Sequence, residues 1–201
     1  KSSLIYRKER ARIAKTLPDR EYYYEAAIAL ANTRVIENTE LYSAIEDLIL
    51  IQNEMIVSPG ANDDKLDKAI SVLAECNLSI KDYGKASDCL YFLYSRALTK
   101  YGDGSEEARN AASRLSYVYS LDGEYEKSID ICRKSYLCTL RAEGLSSKAT
   151  SSIMIELGQA YREAGKFDEA AQSFKSILEN KKALSISCDE ELQDAELELA
   201  S

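Results

Sequence analysis

Two kinds of side chain recur along this 201-residue chain at a constant spacing of 42 residues. The large apolar members of the series are Leu41, Tyr83, Tyr125 and Phe167, and the small members, three positions later, are Ala44, Ala86, Ser128 and Ala170. A fixed period of about 20–50 residues is typical of proteins that stack one structural unit repeatedly. The spacing therefore predicts about four copies of a unit that buries its apolar face against its neighbours.

Each copy is predicted to contain two helices, because apolar residues recur at three- and four-residue spacings. The chain has only 2 prolines and 8 glycines, and Gly165 separates the two helical patterns of the last copy. Start and stop signals elsewhere lie at Pro18-Asp19, at Ser58-Pro59-Gly60 and at Ser105. We expect a basic N-terminal segment at 1–18 and a repeat domain at 19–201, with repeats at approximately 19–60, 61–102, 103–144 and 145–187 and a terminal helix at 188–201.

The last copy carries five residues of a known motif. Leu157, Gly158, Tyr161, Ala170 and Phe174 stand at the offsets of the leucine, glycine, tyrosine, alanine and second aromatic residue of tetratricopeptide repeats, and the stretch resembles that family. The resemblance implies an all-α fold, an α-solenoid of antiparallel helix pairs with about four repeats plus the terminal helix. The period exceeds the family's usual 34 residues. In this period and in the Gly-Lys-Phe-x-x-Ala turn at 165–170, the chain is similar to the kinesin light chains.

The charge of the chain argues against a general nucleic-acid-binding role, since the net charge is −8. The first 20 residues are basic, which we interpret as a solvated helix face rather than a transit-peptide remnant or a contact for polyanions. No apolar run is long enough for a membrane span. The five cysteines form no Cys-x-x-Cys pair, which favours a reducing, intracellular compartment, either the cytoplasm or an organelle interior. The chain begins without methionine and ends inside a helical pattern, so we expect a fragment of a longer protein.

The sequence contains no recognisable catalytic constellation, and we expect no enzyme activity, no cofactor and no metal. Without histidine there is no Ser–His or Cys–His pair and no usual zinc site. The glycines of Tyr101-Gly102-Asp103-Gly104 lack the lysine of a phosphate-binding loop. Cys132 and Cys138 can be considered as a redox pair, but Cys132 falls on an apolar stripe and is interpreted as a core residue.

Binding of another protein or peptide is the predicted function. In a solenoid, the first helix of each repeat lines the concave wall, and the wall residues lie between the packing positions. These candidates are Ser71 and Glu75 in the second repeat, Asn110, Ser113, Arg114 and Tyr117 in the third, and Ser152, Ile155, Gln159 and Arg162 in the fourth. Amides can bond a peptide backbone, Arg114 and Arg162 can pair with an acidic side chain, and Tyr117 can pack against an apolar one. The similarity to kinesin light chains also implies a short cargo peptide.

Two other functions remain open from the sequence. A structural subunit would pack permanently in an assembly through tyrosine-rich outer faces, which the Tyr22-Tyr23-Tyr24 run and the Tyr91 and Tyr94 pair suggest. A regulatory domain would serve an enzyme encoded outside this sequence. The lysine, asparagine and arginine clamp with which some tetratricopeptide repeats hold a terminal carboxylate is not matched here.

Overall fold

The computed structural model describes residues 2–16, 20–57 and 63–183, and these residues form helices joined by short turns, without strands. The helices are α1 Ser2–Thr16, α2 Arg20–Glu37, α3 Leu41–Val57, α4 Asp63–Ser79, α5 Tyr83–Tyr101, α6 Glu106–Leu121, α7 Tyr125–Glu143, α8 Lys148–Glu163 and α9 Phe167–Ala183. The predicted all-α fold is confirmed. The terminal helix predicted at 188–201 lies outside the described residues. None of the described helices is both long and apolar enough to cross a membrane.

The 42-residue period is visible in the helix boundaries. The second helix of each predicted pair begins at the large apolar residue of the series: α3 at Leu41, α5 at Tyr83, α7 at Tyr125 and α9 at Phe167. Phe167 itself is 67% exposed. The large apolar position thus marks a helix start in every copy, whereas its burial differs from copy to copy.

The turn before each of these helices has the same hydrogen-bonding geometry. In the last copy, Gly165 has a φ of 73° and its N–H bonds to the Arg162 carbonyl at 2.9 Å, while the Lys166 N–H bonds to the Tyr161 carbonyl at 2.9 Å. This is the Schellman arrangement, which needs one residue in the left-handed region. The equivalent residues are Asn38, Lys81 and Gly123, all with positive φ. Two glycines and two other residues therefore produce the same chain reversal.

The chain divides into two compact units, Lys1–Leu93 and Tyr94–Ser201. In the first unit, α2 packs against α1, α3 and α4. Its core includes Tyr23, Ile51, Met55 and Ile70, all at most 5% exposed. The basic N-terminal segment forms α1, whose Arg7 donates a hydrogen bond to the Ala29 carbonyl at 3.3 Å and whose Lys8 pairs with Glu40. The basic side chains of α1 therefore take part in packing as well as facing solvent.

In the second unit, α6, α7, α8 and α9 pack consecutively. At the α8–α9 crossing, Gly158 lies against the ring of Phe174, which is 1% exposed. A Cβ atom at Gly158 would lie 2.6 Å from Phe174 Cε1, so only glycine fits there without movement. At the α6–α7 crossing, the equivalent position is Ser116, whose hydroxyl is 2.8 Å from that of Ser128. Small residues therefore stand at both helix crossings.

Candidate functional site

Helices α6 and α8 contact each other in the second unit and form the walls of a groove. Each begins at a serine that satisfies a free backbone N–H: Ser105 Oγ accepts from Ala108 at 3.2 Å, and Ser147 Oγ accepts from Ala149 at 3.1 Å. These two caps are 42 residues apart, so the repeat also fixes where both helices start. We call the space between the two helices the α6–α8 groove and define it by the two cavities described next.

The larger cavity of the groove has a volume of about 420 Å³ and lies near the starts of both helices. It is lined by Glu106, Arg109, Asn110, Ser113, Glu143, Ser147, Lys148, Ala149, Ser152, Ile153 and Glu156. Arg109 Nη1 donates to the Gly104 carbonyl at 2.7 Å and to Glu143 at 2.5 Å. The Ser147 hydroxyl, followed by the Arg109 guanidinium, lowers the pKa of Glu143. This ion pair joins the start of α6 to the end of α7.

The smaller cavity has a volume of about 100 Å³ and lies further along the same groove. It is lined by Ser113, Ser116, Tyr117, Ser120, Ser128, Glu156, Gln159, Ala160 and Glu163. The hydroxyls of Ser116, Ser120 and Ser128 are bonded to one another, with Ser120 donating to Ser128 at 3.0 Å. Ser113 and Glu156 line both cavities, and the two cavities therefore adjoin at this pair.

Glu156 is the half-buried carboxylate shared by the two cavities, and the Ser113 hydroxyl donates a hydrogen bond to it at 2.5 Å. Burial raises the pKa of Glu156, and the Ser113 hydrogen bond partly offsets that rise. Among the described residues, the Ser113 hydroxyl, and no lysine or arginine, offsets the effect of burial on this pKa. The charged form of Glu156 is therefore held in an environment that disfavours it.

Replacing Glu156 with glutamine is expected to raise the free energy of unfolding near neutral pH. The pKa of Glu156 is raised in the folded protein, so folding favours the protonated form of its carboxyl group. Near neutral pH the carboxyl group is ionised, and keeping it ionised in the folded protein lowers the free energy of unfolding. Glutamine keeps an acceptor for Ser113 without the charge. The stabilisation should shrink as the pH is lowered through the glutamate range, because the wild-type carboxylate is then protonated. Urea unfolding of the two proteins at a series of pH values measures the difference, and a loss of about 1 kcal/mol at neutral pH, usual for a point substitution, would contradict it.

The groove contains half of the ten residues predicted from the sequence. Asn110, Ser113 and Ser152 line the larger cavity, and Ser113, Tyr117 and Gln159 line the smaller one. Arg114 and Arg162 are half-buried and belong to neither lining. Ser71 and Glu75 are half-buried on α4 in the first unit, and the tenth residue, Ile155, is described next.

The placement of Ile155 on the wall is wrong. Ile155 is 8% exposed and packs in a core cluster with Ala170, Phe174 and Ile177. Beyond the first turn of α8, the polar side chains that line the groove follow a spacing of four, three and four residues: Ser152, Glu156, Gln159 and Glu163. This spacing keeps side chains on one face of a helix, whereas position 155 is rotated by about 100° from 156.

The described cysteines, Cys76, Cys89, Cys132 and Cys138, are free thiols. Cys132 is 3% exposed, which confirms its predicted core position, and burial raises its pKa to about 11. A protonated, buried thiol is inert towards oxidants and electrophiles. Among the described residues, no group of three or more cysteines and carboxylates is arranged to hold a metal ion.

A family model described as tetratricopeptide repeat matches residues 107–183, which contain α7, α8, α9 and all of α6 except its first residue. Over this segment, the chain resembles tetratricopeptide repeats. No curated protein sequence matches it. The matched segment includes every residue that lines the α6–α8 groove except Glu106, so the candidate site lies almost entirely within it.

Solved structures with this repeat fold cover nearly the whole chain. BtubC (BKLC) from P. vanneervenii is 15% identical and gives a TM-score of 0.66 over 98% of this chain and 80% of its own. A putative kinesin light chain of Podosopora anserina with nearly identical TPR-like repeats is 14% identical, with a TM-score of 0.66 over 88% of this chain and 83% of its own. PlcR of Bacillus thuringiensis, in complex with the peptide PapR7 and DNA, is 14% identical, with a TM-score of 0.56 over 98% and 70%. At these identities the likeness concerns the fold, and the predicted resemblance to kinesin-light-chain-type repeats is confirmed at that level.

Proposed function

We propose that the chain is a protein-interaction module that binds an extended peptide segment of a partner in the α6–α8 groove. The observation that carries this proposal is the pair of adjoining cavities along the groove, which together are lined by amides, hydroxyls, charged groups and the ring of Tyr117. Polar side chains of this kind can bond the backbone of an extended chain, while the cavities accept its side chains. PlcR, which shares the fold, was crystallised with a peptide, and this supports the same class of ligand.

The test uses a substitution that fills the larger cavity without touching the core. Ser152 is exposed on the groove side of α8, so Ser152→Trp places a large ring in the groove while the helix stays intact. Ala171 on α9 is exposed and lies outside both linings, so Ala171→Trp is the matched control. Peptides are first selected on the wild-type chain from a displayed random library, and their affinities are then measured by fluorescence anisotropy.

We expect Ser152→Trp to weaken the selected peptides by about tenfold or more, because the bulky ring excludes them from the groove, while Ala171→Trp leaves the affinity unchanged. If the selection returns no binding peptide, or if both variants bind equally well, the groove is not a peptide site.

The alternative of a structural subunit is favoured by a different surface. Tyr23 and Tyr94 are buried, so the predicted tyrosine faces are only partly available, although Tyr91 is 54% exposed. A second apolar surface lies on α3, where Ile49, Leu50, Ile56 and Val57 are all exposed. Exposed aliphatic groups of this kind mark contacts between proteins. Sedimentation of the chain at increasing concentration decides whether this face self-associates.

A further inference from the structure

We infer that the smaller cavity of the α6–α8 groove receives a lysine or arginine side chain of the bound peptide, which pairs with Glu156. This inference rests on the proposed function, since it names the chemistry that the same groove selects. The cavity of about 100 Å³ has room for one side chain rather than for several. Its lining combines two carboxylates, an amide, hydroxyls and an aromatic ring.

The hydrogen-bonding groups of this lining fit a ligand group that donates hydrogen bonds and accepts none. A lysine ammonium carries three donors and no acceptor, and an arginine guanidinium carries five donors and no acceptor. Glu156 and Glu163 supply carboxylate oxygens, and both are on the α8 side of the cavity. The deep hydroxyls of Ser116, Ser120 and Ser128 are already bonded to one another, so the carboxylates are the stronger acceptors for an entering side chain.

A cation supplied by a ligand would stabilise the ionised carboxylate of Glu156. Burial works against its charge, and within the described residues no lysine or arginine offsets that cost. A peptide ammonium or guanidinium in the cavity would do so, because an opposite charge at contact distance favours the ionised carboxylate. Across both cavities the lining contains four glutamates against two basic residues, and one of the two, Arg109, is paired with Glu143. The groove is thus complementary to a basic ligand.

Tyr117 adds a contact that suits the rest of a basic side chain. It stands on α6 at the edge of the smaller cavity and is 61% exposed. An aromatic face can cover the methylene stem of lysine or arginine and attract its charged end. From the sequence alone we predicted the reverse selectivity, with Arg114 and Arg162 binding an acidic side chain. Neither arginine lines the groove, whereas Glu156 and Glu163 do.

The experiment compares the wild-type chain with two variants that change the net charge equally. Glu156→Gln removes the charge inside the groove, and Glu169→Gln removes an exposed charge on α9 outside both linings. The probes are three pools of short, end-blocked peptides with one central position fixed as lysine, as glutamine or as glutamate and the other positions random. Retention of each pool is measured near neutral pH, and single retained peptides are then titrated.

We expect the wild-type chain and Glu169→Gln to retain the lysine pool preferentially, and single lysine peptides to bind Glu156→Gln about 10- to 100-fold more weakly. Equal retention of lysine peptides by both variants would assign the preference to the overall negative charge and overturn the inference. Preference for the glutamate pool, or no preference, would also overturn it and leave the peptide-binding function standing. Failure of every pool to bind would count against the proposed function itself.

Discussion

Replacing Phe174 with alanine is expected to lower the free energy of unfolding by about 3–5 kcal/mol, the usual cost of deleting a buried aromatic ring. Phe174 is 1% exposed and packs with Ile155, Ala170 and Ile177 at the α8–α9 crossing. Its ring also lies directly over Gly158, and the surrounding helices are held close together by that contact. Alanine at position 174 would leave a cavity between α8 and α9 where the ring now packs.

The same contact predicts coupling between positions 158 and 174. Gly158→Ala alone should cost about 1–3 kcal/mol, because its Cβ would lie 2.6 Å from a ring that has no free space to enter. In the Phe174→Ala background, the same change should become neutral or stabilising, since the obstructing ring is gone and alanine favours a helix by about 1 kcal/mol over glycine. Urea unfolding followed by circular dichroism measures all four proteins. Additive effects of the two substitutions would contradict the packing described at this crossing.

Replacing Ile51 with alanine should cost about 2–5 kcal/mol, while the same change at the adjacent Leu50 should alter stability by less than about 0.5 kcal/mol. Both residues lie on α3, but Ile51 is fully buried in the core of the first unit and Leu50 is 45% exposed. The pair is well matched because each change shortens a four-carbon aliphatic side chain to a single methyl group on the same helix. Thermal or urea unfolding of the two variants provides the comparison.

A large effect at Leu50 would have a specific meaning. It would indicate that the exposed aliphatic face of α3 is covered in the protein as it exists in solution, which would favour the structural-subunit function. A small effect at Ile51 would instead show that the face of α3 that contacts α2 and α4 has been assigned incorrectly. The two outcomes are distinguishable in one set of measurements.

The repeat and the helices could be predicted from residue order. The constant 42-residue spacing predicted helix pairs, and the second helix of each pair begins at the recurring apolar residue, from Leu41 to Phe167. Gly158 and Ala170 were recognisable as crossing residues because only small side chains allow two helices to approach closely. These features are local or periodic, so they can be read from residue order alone.

The tertiary structure decided which face of α8 lines the groove. Positions 155 and 156 differ by about 100° around the helix, and a mixed stripe of serine, isoleucine and glutamine does not fix the rotation from sequence alone. Packing against α9 buries Ile155 beside Phe174 and turns Glu156 towards Ser113 on α6. This rotation also sets the charge of the groove, which is lined by glutamates where the sequence predicted arginines. The rotation depends on which neighbouring helix the apolar face of α8 contacts, and residue order does not specify that contact.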